Sequence, residues 1–219
     1  SAAVKSHLKD IGHSSEPDTA YENAQARERM QVLMDIANME GGFVVGTPDL
    51  SEIALGFSTY GGDHMSMYGV NSGVPKTLIR YLIAYIAKTG GDSLRQVLSD
   101  ILDTPVSPEL LPVGADGKNA QHTEKLIGDY VLHDFMLYYF VRFGFTPRKL
   151  MRLMRVVFGD TYDEAQLRFA HETFFKRFFA NQFKRSCMPD GVKVGSVALS
   201  PRGDFRMPSD ISPLDTDME

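Results

Sequence analysis

The chain has 219 residues, 43% apolar and 11% aromatic, with a formal charge of -5 at neutral pH. That composition suits one domain, or a large part of one, with a real core, and its negative balance argues against nucleic acid or an anionic membrane surface as the main partner. The single cysteine, Cys187, cannot form an internal disulfide, and no stretch has the apolar length of a signal peptide or membrane span, so the cytoplasm is the expected compartment.

The chain begins SAAVKSHLK without an initiator Met and reads as a fragment that enters a domain part-way. After a polar loop around Pro17, apolar residues at Ala24, Met30, Leu33, Met34 and Ala37 predict a helix from about Ala20 to Met39. Thr19 is the expected cap, with Glu22 completing a capping box. Phe43, Val44 and Val45 form a short apolar run of the kind a buried parallel strand shows, and a helix-strand-helix order is α/β grammar. Ligands of such sheets sit beyond the carboxyl ends of strands, which places Gly46, Thr47 and Asp49 where a ligand would bind. Thr47 is the expected cap of the next helix, Pro48 its first residue, and Asp49 and Glu52 fall in its first turn, where carboxylates complement the helix dipole without further function.

Tyr60 to Gly73 reads as a glycine-rich loop that covers a site, with Asp63 and His64 either an acid/base pair or a plain surface pair. Pro75 opens a helix with Leu78, Ile79, Leu82, Ile83 and Ile86 on its apolar face, ending at Gly90. Lys76 at its start is either a solvated side chain or part of an anion grip made with the backbone amides. A helix from about Ser93 to Leu102 precedes a proline-punctuated linker, and the chain is helical again from Thr123 to about Phe183. Thr146 caps a helix whose first residue is Pro147. The aromatic residues from Tyr130 onward are either core or nucleotide-stacking platforms. The closing segment is rich in Lys and Arg, with a short strand expected over Val194 to Leu199.

The segments TYENAQARERMQVLMDIAN, VVGTPDLSEIALGFSTYGGDHMSMYGVNSGVPKTLIRYL, LIGDYVLHDFMLYYF and FKRSCMPDGVKVGSVALSPRGDFRMPSD together resemble the synthetase domain of glutamine-dependent NAD synthetase, over nearly the whole chain. The resemblance implies a Rossmann-like α/β fold of the ATP-pyrophosphatase type, of which residues 1–219 would form a helix-rich C-terminal part. It implies a ligase with ATP and Mg2+ as cofactors: ATP adenylates the carboxylate of deamido-NAD, and ammonia from an upstream glutaminase domain then displaces AMP. By position it assigns Thr47 and Lys76 to ATP, and Asn23, Glu52, Phe57, Tyr60 and Lys184 to deamido-NAD. Glu52 also falls at the magnesium end, and Asp63 and Lys76 match catalytic positions. A homo-oligomer is expected of the full-length enzyme, with no nucleic acid or membrane partner. Two residues depart from the family: Pro48 stands for a common Gly and Phe57 for a common Trp. The family's Ser-Gly-Gly-x-Asp-Ser pyrophosphate loop and its glutaminase Glu-Lys-Cys set are absent from the sequence, so the chain alone is expected to be inactive. The alternatives are a nucleotide-binding or assembly module without catalysis, and an amide ligase of the same fold acting on another carboxylate.

Overall fold

The computed structural model describes residues 2–14, 16, 18–104 and 127–212. Its elements in chain order are α1 (Ala2–Asp10), α2 (Thr19–Glu40), β1 (Val45–Gly46), α3 (Leu50–Leu55), β2 (Tyr68–Gly69), α4 (Lys76–Thr89), α5 (Asp92–Asp103), α6 (Tyr130–Phe143), α7 (Pro147–Phe158), α8 (Glu164–Ala180) and α9 (Gln182–Ser186). The expected linker beyond Thr104 and the helical start at Thr123 lie outside the described residues. Among the described residues, no helix is long and apolar enough to cross a membrane.

The core is built by α3, α6, α7 and α8, with Leu50, Leu55, Leu132, Met136, Leu150, Met154 and Leu167 packed among Phe174, Phe175 and Phe178. Phe140 meets Phe174, Phe175, Phe178 and Phe179 edge-on, at 5.3 to 6.3 Å between ring centres, the arrangement that aromatic quadrupoles favour. These aromatic residues of α6 and α8 are therefore core rather than stacking platforms. Thr146 caps α7 through its hydroxyl, 3.3 Å from the Lys149 amide, with Pro147 first in the helix as expected.

β1 and β2 pair in parallel, Val45 opposite Tyr68 and Gly46 opposite Gly69, and Gly69 bridges onward to Gly191. The predicted strand at Phe43 to Val45 thus shifts to Val45–Gly46, and of its apolar run only Val44 is buried, against Met30 and Ala37 of α2. β2 also interrupts the expected loop. The strand expected over Val194 to Leu199 does not form: Val197, Ala198 and Leu199 are buried without a ladder, their side chains spent on packing, before a turn closes on the Ser200 carbonyl.

Two caps differ from expectation. Asp18, not Thr19, caps α2, its extended backbone letting the carboxylate accept the Tyr21 amide at 2.9 Å. Asp49, not Thr47, caps α3. Its carboxylate accepts the Glu52 amide at 2.9 Å while Glu52 accepts the Asp49 amide at 3.0 Å, a reciprocal capping box. Asp49 is extended and the Leu50 amide is held by the Val74 carbonyl at 3.0 Å, so the helix turns in at Leu50.

Candidate active site

The short helix α3 has a different polar cluster at each end, and every predicted site residue except Thr47 belongs to one of the two. Thr47 is exposed on the approach from β1.

At the start of α3 lies a charged group made by three helices. Lys76, first residue of α4, places its ammonium 2.7 Å from Asp49 and 2.8 Å from Glu52, with its side chain only 15% exposed. It is therefore not the solvated lysine that the sequence allows: its partners in this structure are two carboxylates. The amides expected to help it are taken: the Lys76 amide donates to Ser51 Oγ at 2.8 Å, and the Thr77 amide donates to Asp134 at 3.0 Å. Asp134, from the middle of α6, also accepts from the hydroxyls of Thr77, at 2.7 Å, and of Ser51. It is an internal anion occupying the start of α4, where helix dipole and free amides favour negative charge.

Two carboxylates thus share one ammonium, and a third, Asp134, lies close by on hydroxyl and amide donors. Burial pushes Asp49, Glu52 and Asp134 above the ordinary carboxylate range, and Lys76 and the neighbouring amides and hydroxyls only partly offset it. For Lys76 burial works downward, but the Asp49 and Glu52 carboxylates outweigh it and hold the ammonium protonated. Tyr130 sits under that ammonium, 5.2 Å from ring centre to Nζ, its hydroxyl pKa driven up by burial and then by Glu52 and Asp49.

At the far end of α3 the chain turns out through Gly56, whose φ of 72° belongs to the left-handed region. The last carbonyls of α3 are held by side chains from α8 and α9. Arg185 donates to the Ala54 carbonyl at 2.8 Å, Arg177 to the Leu55 carbonyl at 2.9 Å, and Lys184 to the Gly56 and Ser58 carbonyls, each at 2.7 Å. Arg185 is fully buried, and burial draws its guanidinium pKa down to about 9, still high enough to stay charged. Burial, then the Arg177 charge, lowers Lys184, while Asp63 opposes the fall.

The remaining predicted residues gather around the same turn. Asn23 of α2 accepts the Thr59 hydroxyl at 2.9 Å, and Asp63 accepts the Thr59 amide at 2.8 Å. The Tyr60 ring stacks on His64 with centres 5.3 Å apart, and its hydroxyl approaches Cys187 Sγ at 3.8 Å. Phe57 carries the Arg177 guanidinium 4.0 Å above its ring, so one of its faces is already covered. His64 does not pair with Asp63; it is buried and contacts the Lys184 carbonyl through Nε2 at 2.9 Å. The two residues expected to be catalytic, Asp63 and Lys76, are thus drawn to opposite ends of α3. Asp134, Ser51, Tyr130 and Arg177 escaped the sequence reading. The one local signal was a carboxylate set in the apolar run YVLHDFMLYYF.

The family model for NAD synthase matches residues 2–142 of the chain. The chain belongs to the NAD synthase family. It is 44% identical over 216 residues to the glutamine-dependent NAD(+) synthetase of Mycobacterium tuberculosis, an alignment covering 89% of this chain and 32% of that protein. It is 41% identical to the synthetase of the same name from Mycobacterium leprae, over 94% of this chain and 34% of the other. The chain thus spans about a third of the length of the curated relatives it matches. Among solved structures, a glutamine-dependent NAD(+) synthetase from Cytophaga hutchinsonii superposes with a TM-score of 0.68 at 16% identity, covering 95% of this chain and 32% of that one. The fold is accordingly the Rossmann-like α/β ATP-pyrophosphatase fold of NAD synthases, here in a helix-rich portion. The family match ends within α6, so Lys184 and the basic segment around it lie beyond it.

Proposed function

We propose that this chain forms the C-terminal part of a synthetase domain that amidates deamido-NAD to NAD, using ATP to adenylate the carboxylate and ammonia released from glutamine elsewhere in the whole polypeptide. The observation that carries the reading is the meeting of two clusters on α3, in a chain of the NAD synthase family: Lys76 with Glu52 at one end, and Lys184, Asn23, Phe57 and Tyr60 at the other. Thr47 and Lys76 face ATP, while Asn23, Glu52, Phe57, Tyr60 and Lys184 face deamido-NAD. We take the reaction to run in the cytoplasm, in a homo-oligomer.

Charge builds on the leaving pyrophosphate during adenylation, and a fixed ammonium stabilises it without reorganising solvent. Lys76 is held protonated and is poised to exchange its carboxylate partners for phosphate oxygens. The 57–64 turn, closed by Asn23, Thr59 and Asp63, shields the acyl-adenylate from water. Asp63 deprotonates the incoming ammonium. Magnesium in such sites is held mainly by substrate phosphates with one or two carboxylates, and Glu52, expected at that end, has one oxygen on Lys76 and the other on the Asp49 amide; among the described residues no three His, Cys, Asp or Glu side chains come together. No step here runs through the metal.

The test is ammonia-dependent and glutamine-dependent NAD formation by the intact polypeptide. Lys76→Met is expected to lower kcat by at least about a hundredfold with either nitrogen source, the size of losing a preorganised charge contact. Asp63→Asn is expected to slow the ammonia-dependent reaction in particular. Turnover near that of the unaltered protein in Lys76→Met defeats the assignment of Lys76, and absence of NAD formation by the intact polypeptide defeats the reading as a whole.

A further inference from the structure

A second concentration of charge lies away from α3, between α7 and α8. Helix α7, PRKLMRLMRVVF, carries four cations and no carboxylate, in a chain whose net charge is -5. Arg148, Arg152 and Arg155 are four and three residues apart and so share one helix face. With Arg168 of α8 they line a cavity of about 410 Å3. His171 lines it too, buried and tied through Nε2 to the Pro147 carbonyl at 2.9 Å, which joins the start of α7 to the middle of α8.

Two carboxylates answer four guanidiniums. Glu164 takes Arg155 through paired contacts at 2.9 and 2.6 Å and reaches Arg168 at 3.5 Å. Glu172 lines the wall. Among the described residues, Arg148 and Arg152 have no carboxylate within ion-pair distance, although they repel each other one turn apart. Guanidinium groups offer planar paired donors that match phosphate oxygens. The volume falls within the range of small-molecule sites, about 300–1,000 Å3.

We propose that this cleft binds a phosphate-bearing small molecule carrying two or more negative charges. Arg148 and Arg152 take the phosphate oxygens, while Glu164 fixes the directions of Arg155 and Arg168. The site shares no residue with either cluster on α3, lies beyond the residues matched by the family model, and stands whether or not the proposed amidation is correct.

Calorimetric titration of the intact protein with inorganic phosphate, pyrophosphate and AMP tests it, in chloride buffer at low ionic strength. The double variant Arg148→Ala/Arg152→Ala removes two exposed side chains and is expected to weaken pyrophosphate or AMP binding at least tenfold, with an unchanged circular dichroism spectrum. Preference for pyrophosphate assigns the ligand as a free polyphosphate, and preference for AMP assigns it as a nucleotide. Lys149→Ala, on the same helix but seated over the Phe145 ring, is expected to leave binding unchanged. Equal binding by the unaltered protein and the double variant overturns the proposal, since any pyrophosphate bound near Lys76 is retained by both. Equal weakening by Lys149→Ala also overturns it, because helix charge rather than a built site would then be responsible.

Discussion

Asp134 shows how one carboxylate orders several elements at once. It accepts from an amide and a hydroxyl of Thr77 at the start of α4 and from Ser51 of α3, so its removal leaves part-buried donors without a partner. Asp134→Ala is expected to lower stability by about 2 kcal/mol, and Asp134→Asn by less than half as much because the amide oxygen still accepts; urea midpoints of the two variants check this. His133, one residue earlier, sits in the core with its pKa drawn down to about 4 by burial, against an ordinary 6.5. The unfolded chain therefore binds a proton that the folded one refuses. Stability is full above about pH 6.5 and falls as pH drops towards 4, by about 3 kcal/mol at most for this one proton. The raised carboxylates Asp49, Glu52 and Asp134 act with the opposite sign, because the folded state holds their protons more tightly as pH falls. The measurement is thus a difference: His133→Gln, which keeps a donor for the Ile127 carbonyl and cannot titrate, is expected to have a shallower downward slope between pH 6.5 and 4, the remainder coming from His171, which burial also lowers.

At the scale of elements, α3 is fixed by its two ends. Asp49→Asn keeps the capping acceptor and Asp49→Ala does not, so the alanine variant is expected to melt earlier, by about 1 kcal/mol relative to asparagine. Gly56→Ala places a Cβ about 2.1 Å from the Asn181 side chain at a positive φ. It is expected to destabilise by more than the ordinary Gly-to-Ala range of about 1 kcal/mol, with a matching fall in melting temperature. The elements themselves were largely legible in the sequence: α4 and α5 lie within one or two residues of the spans that periodicity and caps predict, and α7 starts at the expected Pro147, because those signals are local. The caps of α2 and α3 were not. Each offers a Thr and an Asp as rival caps, and at α3 the Leu50 amide is held by the Val74 carbonyl, 24 residues further along the chain. The site shows the same division. Glu52 and Lys76 stand out from their own neighbourhoods, whereas Asp134 gains its role from Ser51 and Thr77, 83 and 57 residues distant, a pairing that no window of sequence contains.

Over the whole molecule, apolar burial is uneven. The α3, α6, α7 and α8 region is closely packed, while Leu33, Ile36 and Met39 of α2, Tyr81 and Tyr85 of α4, and Val97 and Ile101 of α5 lie exposed. The folded chain by itself is expected to bind the dye ANS, and Tyr81→Lys/Tyr85→Lys to reduce the fluorescence without changing the helix content. The hold of Arg177, Lys184 and Arg185 on the carboxyl end of α3 also governs time. A six-residue helix does not persist alone, and these contacts join residues 122 to 131 positions apart. They form only after a long loop has closed. In synthesis from the N-terminus, α3 precedes α8 and α9 and is expected to stay unstructured until they have emerged, so the centre of the site is completed only when α9 is in place.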